Sequence, residues 1–208
     1  MKVDWYGLGR ALYEGEPTLW GLAAVLLRER QHWLSRLREV LRKMPRPLNV
    51  MLDIGCGAAT ALRLAGRLSR DAWLIALDVE SRYLAKLRKR FDRETRPRLL
   101  IICEALPKPS FKPRCVDFVI SIAVLEYVRP LIDSIKEMWR VARRTMVATF
   151  SSYRLAHKLY WKLRLLRLAF CLSGITHRLV TLKALGEVFD WDEVLDGGLF
   201  YVCVKHRR

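Results

Sequence analysis

The length and composition of the chain favour a single soluble domain. Its 208 residues are the size of one domain, and an apolar fraction of 52% is ample for a packed core. No apolar run approaches the roughly 18–20 residues that a membrane-spanning helix needs, and the amino terminus lacks the apolar stretch of a signal peptide. These features predict a cytoplasmic protein.

The excess of basic residues favours a polyanionic partner. Lys and Arg number 38 against 21 Asp and Glu, which gives a net charge of +17. Nucleic acid, an anionic membrane surface or a phosphorylated substrate would each be attracted by such a charge. A host whose proteins are generally rich in arginine would produce the same balance. The charge therefore suggests a class of partner without selecting one.

The cysteines do not form a metal-binding or redox motif. They are scattered along the chain, so the C-x-x-C spacing is absent. We expect no metal, and we interpret the cysteines as buried free thiols of a reducing compartment, namely Cys56, Cys103, Cys115, Cys171 and Cys203.

Predicted strands and helices alternate along the chain. A helical extension at about residues 18–43 comes first, and the proline-containing stretch 44–47 ends it. Apolar runs of strand length then predict strands at residues 48–53, 72–78, 98–103, 116–121, 145–150, 191–195 and 199–204. Stretches of helical period predict helices at residues 60–69, 81–94, 131–142 and 181–188. This order predicts a Rossmann-like, doubly wound α/β fold whose seven-stranded sheet is mostly parallel, with the last strand antiparallel in an edge hairpin.

A glycine loop follows the first predicted strand, in the stretch LDIGCGAAT. Gly55 and Gly57 have no Cβ, so the backbone there can turn sharply and approach a ligand. The free N–H groups of the next predicted helix would point at that ligand. The dinucleotide pattern G-x-G-x-x-G fails at Thr60. Asp53 would repel a pyrophosphate but suits a ligand that carries an ammonium group.

Each of the first three predicted strands ends in an acidic residue. Asp78 stands about 20 residues after the glycine loop, where a carboxylate can accept the two hydroxyls of a ribose. Glu104 follows the third strand, and Ser121 and Ile122 end the fourth, where a flat ring could lie. Because ligands bind outside the carboxyl ends of such strands, these residues predict one site. Taken one at a time, these acids have simpler explanations: Asp53 could be a charge at a helix N-terminus, Asp78 a helix cap and Glu104 a surface acid. The alternative for the whole set is an α/β domain that binds no cofactor.

Four motifs, in this order and spacing, resemble those of class I S-adenosylmethionine-dependent methyltransferases, in particular the type 11-like group. They are LDIGCGAAT, IALDVESRYLAKL, ICEALPKPSF and VDFVISIAVLEYV; the resemblance covers about residues 48–150, with a fainter tail at 177–190. It implies S-adenosylmethionine as cofactor and methyl transfer as activity. The chain would be one domain, with a helical extension (1–47), a cofactor-binding core (48–150), a basic helical insertion (151–178) and a C-terminal helix with an edge hairpin (179–208).

The resemblance also implies a role for each site residue. Asp53, Gly55, Cys56 and Gly57 would contact the methionine part of the cofactor, and Asp78 and Val79 its ribose. Glu104 and Ala105 would contact the adenine, and Ser121 and Ile122 would form the floor of the site beside the sulfonium. The chain departs from the family at Ala59, where many members have a third glycine, and at Glu104, where aspartate is commoner. The usual PGG before the fifth strand is also absent, because residues 141–145 read VARRT.

No catalytic residue can be assigned from the sequence. Alignment of donor and acceptor for in-line displacement is most of what methyl transfer requires, and an acid–base pair is not obligatory. The four histidines show no spacing that indicates a dyad. Glu126 and Tyr127 follow the fourth strand and could reach the acceptor, or could simply pack against the next helix.

Two basic stretches leave the acceptor open. Residues 81–98 carry eight basic and two acidic residues, and residues 151–178 carry six basic residues and no acid. The second stretch combines an apolar helical stripe with basic and aromatic residues. It could grip RNA, lie on an anionic membrane to reach a lipid, quinone or other small molecule, or pack on the core as a lid.

The motif at the fourth strand narrows the choice of acceptor. Enzymes that methylate exocyclic amines of nucleobases resemble one another in an Asn/Asp-Pro-Pro-aromatic run there, and this chain has SIAV instead. The stretch ISIAVLEYV is similar to a branch that contains tRNA wobble-uridine methyltransferases, although that branch usually has histidines where Glu126 and Tyr127 stand. We expect tRNA or rRNA as acceptor. The alternatives are an enzyme of lipids or small molecules and a non-catalytic cofactor-binding scaffold, and an activating partner subunit could be needed.

Overall fold

A computed structural model describes residues 30–44, 47–57, 62, 71–93, 98–107, 109–122, 124–125, 128–151, 182–196 and 200–207. Several sequence predictions lie outside these residues. They concern the start of the N-terminal extension, the helix at 60–69 apart from Leu62, the basic insertion after residue 151, and Ala59, Glu126 and Tyr127. Within the described part of the chain, no helix is long and apolar enough to cross a membrane.

Seven strands form one mixed sheet, as the sequence predicts. They are β1 (Val50–Ile54), β2 (Trp73–Asp78), β3 (Leu99–Cys103), β4 (Val116–Ser121), β5 (Ala142–Ser151), β6 (Glu193–Asp196) and β7 (Phe200–His206). Their order is β3-β2-β1-β4-β5-β7-β6. Strands β1 to β5 are mutually parallel, and β7 runs antiparallel between β5 and β6. The predicted Rossmann-like, doubly wound α/β fold is therefore confirmed; in the hairpin, β6 is the edge strand and β7 is the inner one.

Helices cover both faces of this sheet. The described residues include α1 (Arg30–Lys43), α2 (Ser81–Arg93), α3 (Leu131–Val141) and α4 (Leu182–Val188). On one face, α1 and α2 pack over a core that includes Met51, Ala76 and Phe118. On the other face, α3 and α4 pack over a core that includes Leu52 and Val119. Successive side chains of a strand point to opposite faces, so strands covered on both sides are mostly apolar.

Strand β5 is longer than predicted and begins directly after α3. It was expected at residues 145–150 but runs Ala142–Ser151, since the helix ends at Val141 and Ala142 adopts an extended backbone with φ −66° and ψ 127°. The Arg207 guanidinium donates to the carbonyl oxygen of Ala142 at 2.8 Å and to that of Trp139 at 2.5 Å. It also lies 4.1 Å from the centroid of the Trp139 ring. A partner 65 residues away in sequence therefore stabilises this boundary, which a local pattern cannot reveal.

The thiols are less buried than predicted. Cys56 and Cys203 are buried, whereas Cys103 and Cys115 are exposed, so the expectation of buried thiols is wrong for these two. Cys103 ends β3, which is an edge strand, and Cys115 stands in the loop before β4. An apolar run beside a cysteine does not show whether the strand end that carries it is covered.

One buried carboxylate ties together the amino ends of three strands. Asp117 in β4 is 0% exposed. Its Oδ2 accepts the backbone N–H groups of Asn49 at 2.8 Å and Val50 at 3.2 Å, where β1 begins, and its Oδ1 accepts Nε of Arg143 in β5 at 2.7 Å. Burial alone would raise the pKa of Asp117, but the two N–H groups and the Arg143 guanidinium outweigh burial and hold the pKa below its ordinary value. Asp117 is therefore an ionised, fully paired structural group.

Candidate active site

The strand order reverses between β1 and β4. Strands β2 and β3 lie on one side of β1, and β4 and β5 lie on the other. The loops that leave the carboxyl ends of β1 and β4 therefore diverge, and a crevice opens between them, which is where open α/β sheets bind ligands. All the predicted cofactor-binding residues stand at this edge, in or directly after β1 to β4.

The loop after β1 needs both of its glycines. Gly55 has φ +68° and Gly57 has φ +43°, in the left-handed region that glycine adopts without strain. A Cβ added to Gly55 would lie only 2.3 Å from Cγ2 of Val124, in the segment after β4. The N–H groups of Gly55 and Cys56 both donate to the carbonyl oxygen of Leu77, at 2.7 and 3.1 Å. The loop is thus fixed between the ends of β2 and β4.

Asp53 is a buried acid that lacks a described hydrogen-bond donor. It is 2% exposed and lies in β1 beside Ala76 of β2 and Ile120 of β4. Burial, followed by the negative charge of Asp78, holds the pKa of Asp53 well above its ordinary value of 3.8, and no group in the described part of the chain acts in the opposite direction. An isolated buried carboxylate is costly, so this position requires either a proton or a cationic partner.

Asp78 links the glycine loop to the start of α2. Its Oδ2 accepts the N–H of Gly57 at 3.0 Å, and its Oδ1 accepts the N–H of Glu80 at 2.9 Å. The second bond, two residues along, forms a turn just before the helix; it reaches Glu80, which precedes α2, and not an N–H of the helix itself. A carboxylate oxygen can accept a second hydrogen bond, and a role of Asp78 towards ribose stays a prediction.

Glu104 folds the loop after β3 back on itself. Its Oε2 accepts the N–H of Ser110 at 2.8 Å. Ala105 beside it is exposed, as is Val79 after β2. The structure therefore brings Asp53, Asp78 and the glycine loop into one connected group, while Glu104 is held by its own loop at the next strand end.

The end of β4 presents an unpaired hydroxyl. Ser121 is 0% exposed, and its Oγ has no hydrogen-bond partner among the described residues. Ser121 stands two residues after Val119, which belongs to the core under α3 and α4, whereas Ile122 is half-buried and packs against the core under α1 and α2. Strand alternation places Asp53 on the α1–α2 side as well. Asp53 and Ser121 therefore lie on opposite faces of the sheet. Only a ligand that extends across the carboxyl edge of the sheet could contact both.

Comparison with known proteins identifies the domain. Residues 52–147 match a family model described as a methyltransferase domain, and that span carries the glycine loop and all the acids of the crevice. Residues 52–147 are a class I S-adenosylmethionine-dependent methyltransferase domain. S-adenosylmethionine, the methyl donor of this family, is therefore the cofactor of the domain.

Several solved structures have a fold similar to that of this chain. The magnesium protoporphyrin IX methyltransferase of Synechocystis PCC 6803 with bound SAH superposes with a TM-score of 0.70 at 14% identity, over 98% of this chain and 94% of that one. A SAM-dependent methyltransferase from Aquifex aeolicus gives 0.57 at 12% identity, over 81% and 87%. Phosphoethanolamine N-methyltransferase 2 of Haemonchus contortus gives 0.58 at 19% identity, over 79% and 38%. A search of curated protein sequences found no significant match.

The residues of the crevice fit a cationic nucleoside such as S-adenosylmethionine. Asp53 offers a buried carboxylate without a described donor, and Asp78 adds a second negative charge. Gly55 lets the loop lie directly against Val124 at the end of β4, and the Ser121 hydroxyl has no hydrogen-bond partner among the described residues. Cys56 is not a nucleophile here, because burial, followed by the charges of Asp53 and Asp78, raises the pKa of its thiol far above neutrality.

Sequence reasoning missed the partner of the glycine loop. Val124 determines why residue 55 must be glycine, since its methyl groups fill the space of a Cβ. An apolar residue after a strand is too common to signal such a contact. The hydrogen bond from Ser110 to Glu104 was missed for the same reason: its signal is a distance across a loop of six residues, not a motif.

Proposed function

We propose that the methyltransferase domain binds S-adenosylmethionine at the carboxyl edge of β1 to β4 and transfers its methyl group to RNA. The main support for this binding site is Asp53, a buried carboxylate that lies near the negative charge of Asp78. No residue that the structure describes donates a hydrogen bond to it. Such an acid is stabilised when a cation joins it. The setting we propose for this enzyme is the cytoplasm.

In this proposal the residues of the crevice bind and orient, and none performs acid–base chemistry. Asp53 takes the ammonium group, and Gly55, Cys56 and Gly57 enclose the methionine part. Asp78 and Val79 would contact the ribose, and Glu104 and Ala105 would contact the adenine. Ser121 and Ile122 would form the floor of the site beside the sulfonium. When bound, S-adenosylmethionine supplies an electrophilic methyl group. The buried floor at Ser121 would exclude water from the reacting centre, and the fixed glycine loop would hold the methyl donor in line with the acceptor.

A basic stripe on α2 supports RNA as the acceptor. Arg82, Lys86 and Lys89 are exposed, and their spacing of four and three residues places them on one side of the helix. This stripe, which we call the α2 basic stripe, begins four residues after Asp78, so it adjoins the crevice. Cations along one line are suited to successive phosphates of a nucleic acid. A net charge of +17 would strengthen the same attraction at long range.

Calorimetry with S-adenosylmethionine tests the binding site. We expect micromolar binding by the parent protein, and loss of about tenfold or more in affinity on Asp78→Ala and Asp78→Asn, about 1.4 kcal/mol per tenfold. The asparagine variant keeps one acceptor for the N–H of Glu80, so it separates loss of the helix turn from loss of the carboxylate. Asp71→Ala, at an exposed acid outside the crevice, is the control and should leave affinity unchanged. Unchanged binding in both Asp78 variants would refute the ribose assignment.

Labelled cofactor tests the acceptor. The protein is incubated with S-adenosylmethionine carrying a radioactive methyl group and either total RNA or extracted lipids, and we expect label in RNA. Label in lipids alone would replace the proposal by a lipid or quinone enzyme, and label in neither pool, with cofactor binding intact, would favour a small-molecule acceptor or a scaffold.

A charge-matched pair of variants tests the α2 basic stripe. Arg82→Ser with Lys89→Ser should reduce RNA binding and lower the slope of its salt dependence by about 2, one unit for each phosphate that the variant no longer neutralises. Lys136→Ser with Lys183→Ser removes the same charge from exposed positions on α3 and α4 and should change the slope much less. Equal effects of both pairs would mean that only net charge matters, and the stripe would not be the RNA surface.

A further inference from the structure

The two edge strands of the sheet differ in how they are protected. At one edge, β6 reads EVLD, so Glu193 and Asp196 place a charge at each end of the strand. At the other edge, β3 reads LLIIC and has no charged residue. Charges on an edge strand are a common device against pairing with another chain. Strand β3 lacks that device, although it is the outermost strand next to β2.

The open backbone of β3 belongs to alternate residues. The carbonyl oxygen of Arg98 accepts the N–H of Leu74, at the start of β2, at 2.8 Å. In a parallel pair, alternate residues direct their N–H and C=O groups to the same neighbour. The residues in phase with Arg98 therefore face β2, and the N–H and C=O groups of Leu99, Ile101 and Cys103 face outwards.

The side chains of β3 divide between the two faces of the sheet. Leu99 and Ile101 pack against the core under α1 and α2, and Ile102 packs against the core of the other face. Leu100, on the same face as Ile102, is 47% exposed. A large apolar side chain that lies so open on an edge strand would gain free energy from an apolar neighbour on the next strand.

We infer that β3 pairs with β3 of a second copy of this chain, antiparallel about a two-fold axis at Ile101. In this register, Leu99 of each copy is opposite Cys103 of the other, and Leu100 is opposite Ile102. It is the register in which all five residues of β3 find a partner and the outward backbone groups meet one another. A two-fold axis makes the contact self-complementary and closes the assembly at two copies.

Charge complementarity at the ends of β3 supports a second copy as the occupant. In the same register, Arg98 before β3 stands opposite Glu104 of the second copy, just after its β3. Arg98 is exposed, and Glu104 is partly exposed. Two such pairs of opposite charge flank an uncharged strand, one at each end of the symmetric ribbon. The second copy thereby brings Arg98 to the rim of the crevice, next to a residue predicted to face adenine.

The net charge sets the conditions in which the dimer forms. Two chains of +17 repel each other, but the repulsion between exposed charges is screened beyond about 8 Å at physiological salt. Apolar contacts and backbone hydrogen bonds of β3 are not screened in this way. The dimer should therefore be favoured by salt, whereas RNA binding is weakened by it. The dimer does not depend on the proposed function, and either can fail without the other.

Mass measurement tests the pairing. Light scattering over a concentration series in physiological salt should show a species of twice the chain mass of 24.3 kDa. Leu100→Glu should raise the dissociation constant of the dimer at least tenfold. Ile132→Glu is the matched control, because Ile132 is 46% exposed but lies on α3, and it should change the constant less than twofold. A chain that stays monomeric, or a dimer that ignores Leu100→Glu, would overturn the inference.

Disulfide trapping tests the register. Leu99→Cys places a thiol opposite the native Cys103 of the second copy, where directly opposed Cα atoms are about 5.5 Å apart and within disulfide range. Mild oxidation should give a covalent dimer joined between residues 99 and 103, located by mass spectrometry. In Leu100→Cys the new thiol lies on the other face of the ribbon, so little of that linkage should form. Equal trapping in both variants, both folded by circular dichroism, would show random collision and reject the register.

Discussion

Two aspartates buried in neighbouring strands show opposite uses of the same chemical group. Asp117, near the amino end of β4, is 0% exposed and is paired with two backbone N–H groups and Arg143. Asp53, near the carboxyl end of β1, is 2% exposed and has no described donor. One end of the sheet pairs its buried acid with groups of the chain, and the other leaves its buried acid without a hydrogen-bond donor among the described residues.

The pKa values of the two acids follow from this difference. The N–H groups and Arg143 overcome the burial of Asp117 and lower its pKa, whereas burial and the charge of Asp78 raise the pKa of Asp53. Burial alone therefore does not decide the direction in which the pKa of an aspartate shifts. The number of donors that face the carboxylate does.

Removal of the paired acid should have the largest effect. Asp117→Ala leaves the part-buried N–H groups of Asn49 and Val50 without an acceptor, at about 1–3 kcal/mol each, so we expect a loss of about 4 kcal/mol in the free energy of unfolding. Arg143, 46% exposed, can turn to water and adds little. Urea unfolding measures the loss, and Asp71→Ala, at an exposed acid, should change stability by less than about 0.5 kcal/mol. A small loss at Asp117 would contradict its role as a tie between strands.

A methyl group in the glycine loop should cost nearly as much. Gly55→Ala forces a side chain into φ +68° and against Val124, which we expect to destabilise by about 3 kcal/mol in total. Adding Val124→Ala should recover the steric part only. Gly186→Ala on α4 is the control: nothing lies within 4 Å of its added Cβ, so it should stabilise by about 0.5–1 kcal/mol. The sign difference is read from urea unfolding curves.

Neutralising the unpaired acid should separate binding from stability. Asp53→Asn removes a buried charge with little change of shape, so the free energy of unfolding should not fall, in contrast with Asp117→Ala. Affinity for S-adenosylmethionine should fall about tenfold or more, since the ammonium loses its counter-charge, about 1.4 kcal/mol per tenfold. Calorimetry and urea unfolding on the same samples give both numbers. If Asp53→Asn were less stable than the parent yet bound S-adenosylmethionine normally, Asp53 would be a structural acid and not a ligand-binding one.

The pH dependence of stability should differ in sign between the two acids. A carboxyl whose pKa is raised on folding costs stability as the pH rises above the ordinary 3.8, so the stability of Asp53→Asn relative to the parent should increase above that pH and level off. A carboxyl whose pKa is lowered contributes stability above 3.8 and loses it as the pH falls through its folded pKa, so the deficit of Asp117→Ala should shrink in acid. Urea unfolding at stepped pH checks both, and parallel curves would contradict the assignment.

The sheet was predictable because its signals are local. Strands β2 and β4 are mostly apolar and are bounded by loops, so their length can be read in a short window. The start of β5 was not predictable, because Arg207 binds the carbonyl groups at that boundary from the other end of the described chain. The exposure of Cys103 also depends on tertiary structure, since nothing in LLIIC shows that β3 is an edge.

The site was predictable in its position but not in its energetics. Gly55 and Gly57 stood out because positive φ and a close approach require glycine. Asp53 and Asp117 look alike in sequence, each an acid inside an apolar run, MLDIG and CVDFV. Which of them has donors is decided by Asn49, Val50 and Arg143, and two of these stand 67 and 68 residues from Asp117. Contacts of such range are not encoded in a motif.

Strand β7 lies far from the crevice and can report on the unfolding of the whole domain. Seven consecutive pairs join β5 to β7, from Thr145 with His206 to Ser151 with Phe200, the longest run in the sheet. Four residues of β7, from Tyr201 to Val204, are buried. Amide hydrogens in such a ladder exchange with solvent only when the domain opens as a unit. We therefore expect deuterium uptake along β7 to measure global unfolding and uptake in the glycine loop to respond to added S-adenosylmethionine, and one experiment measures both.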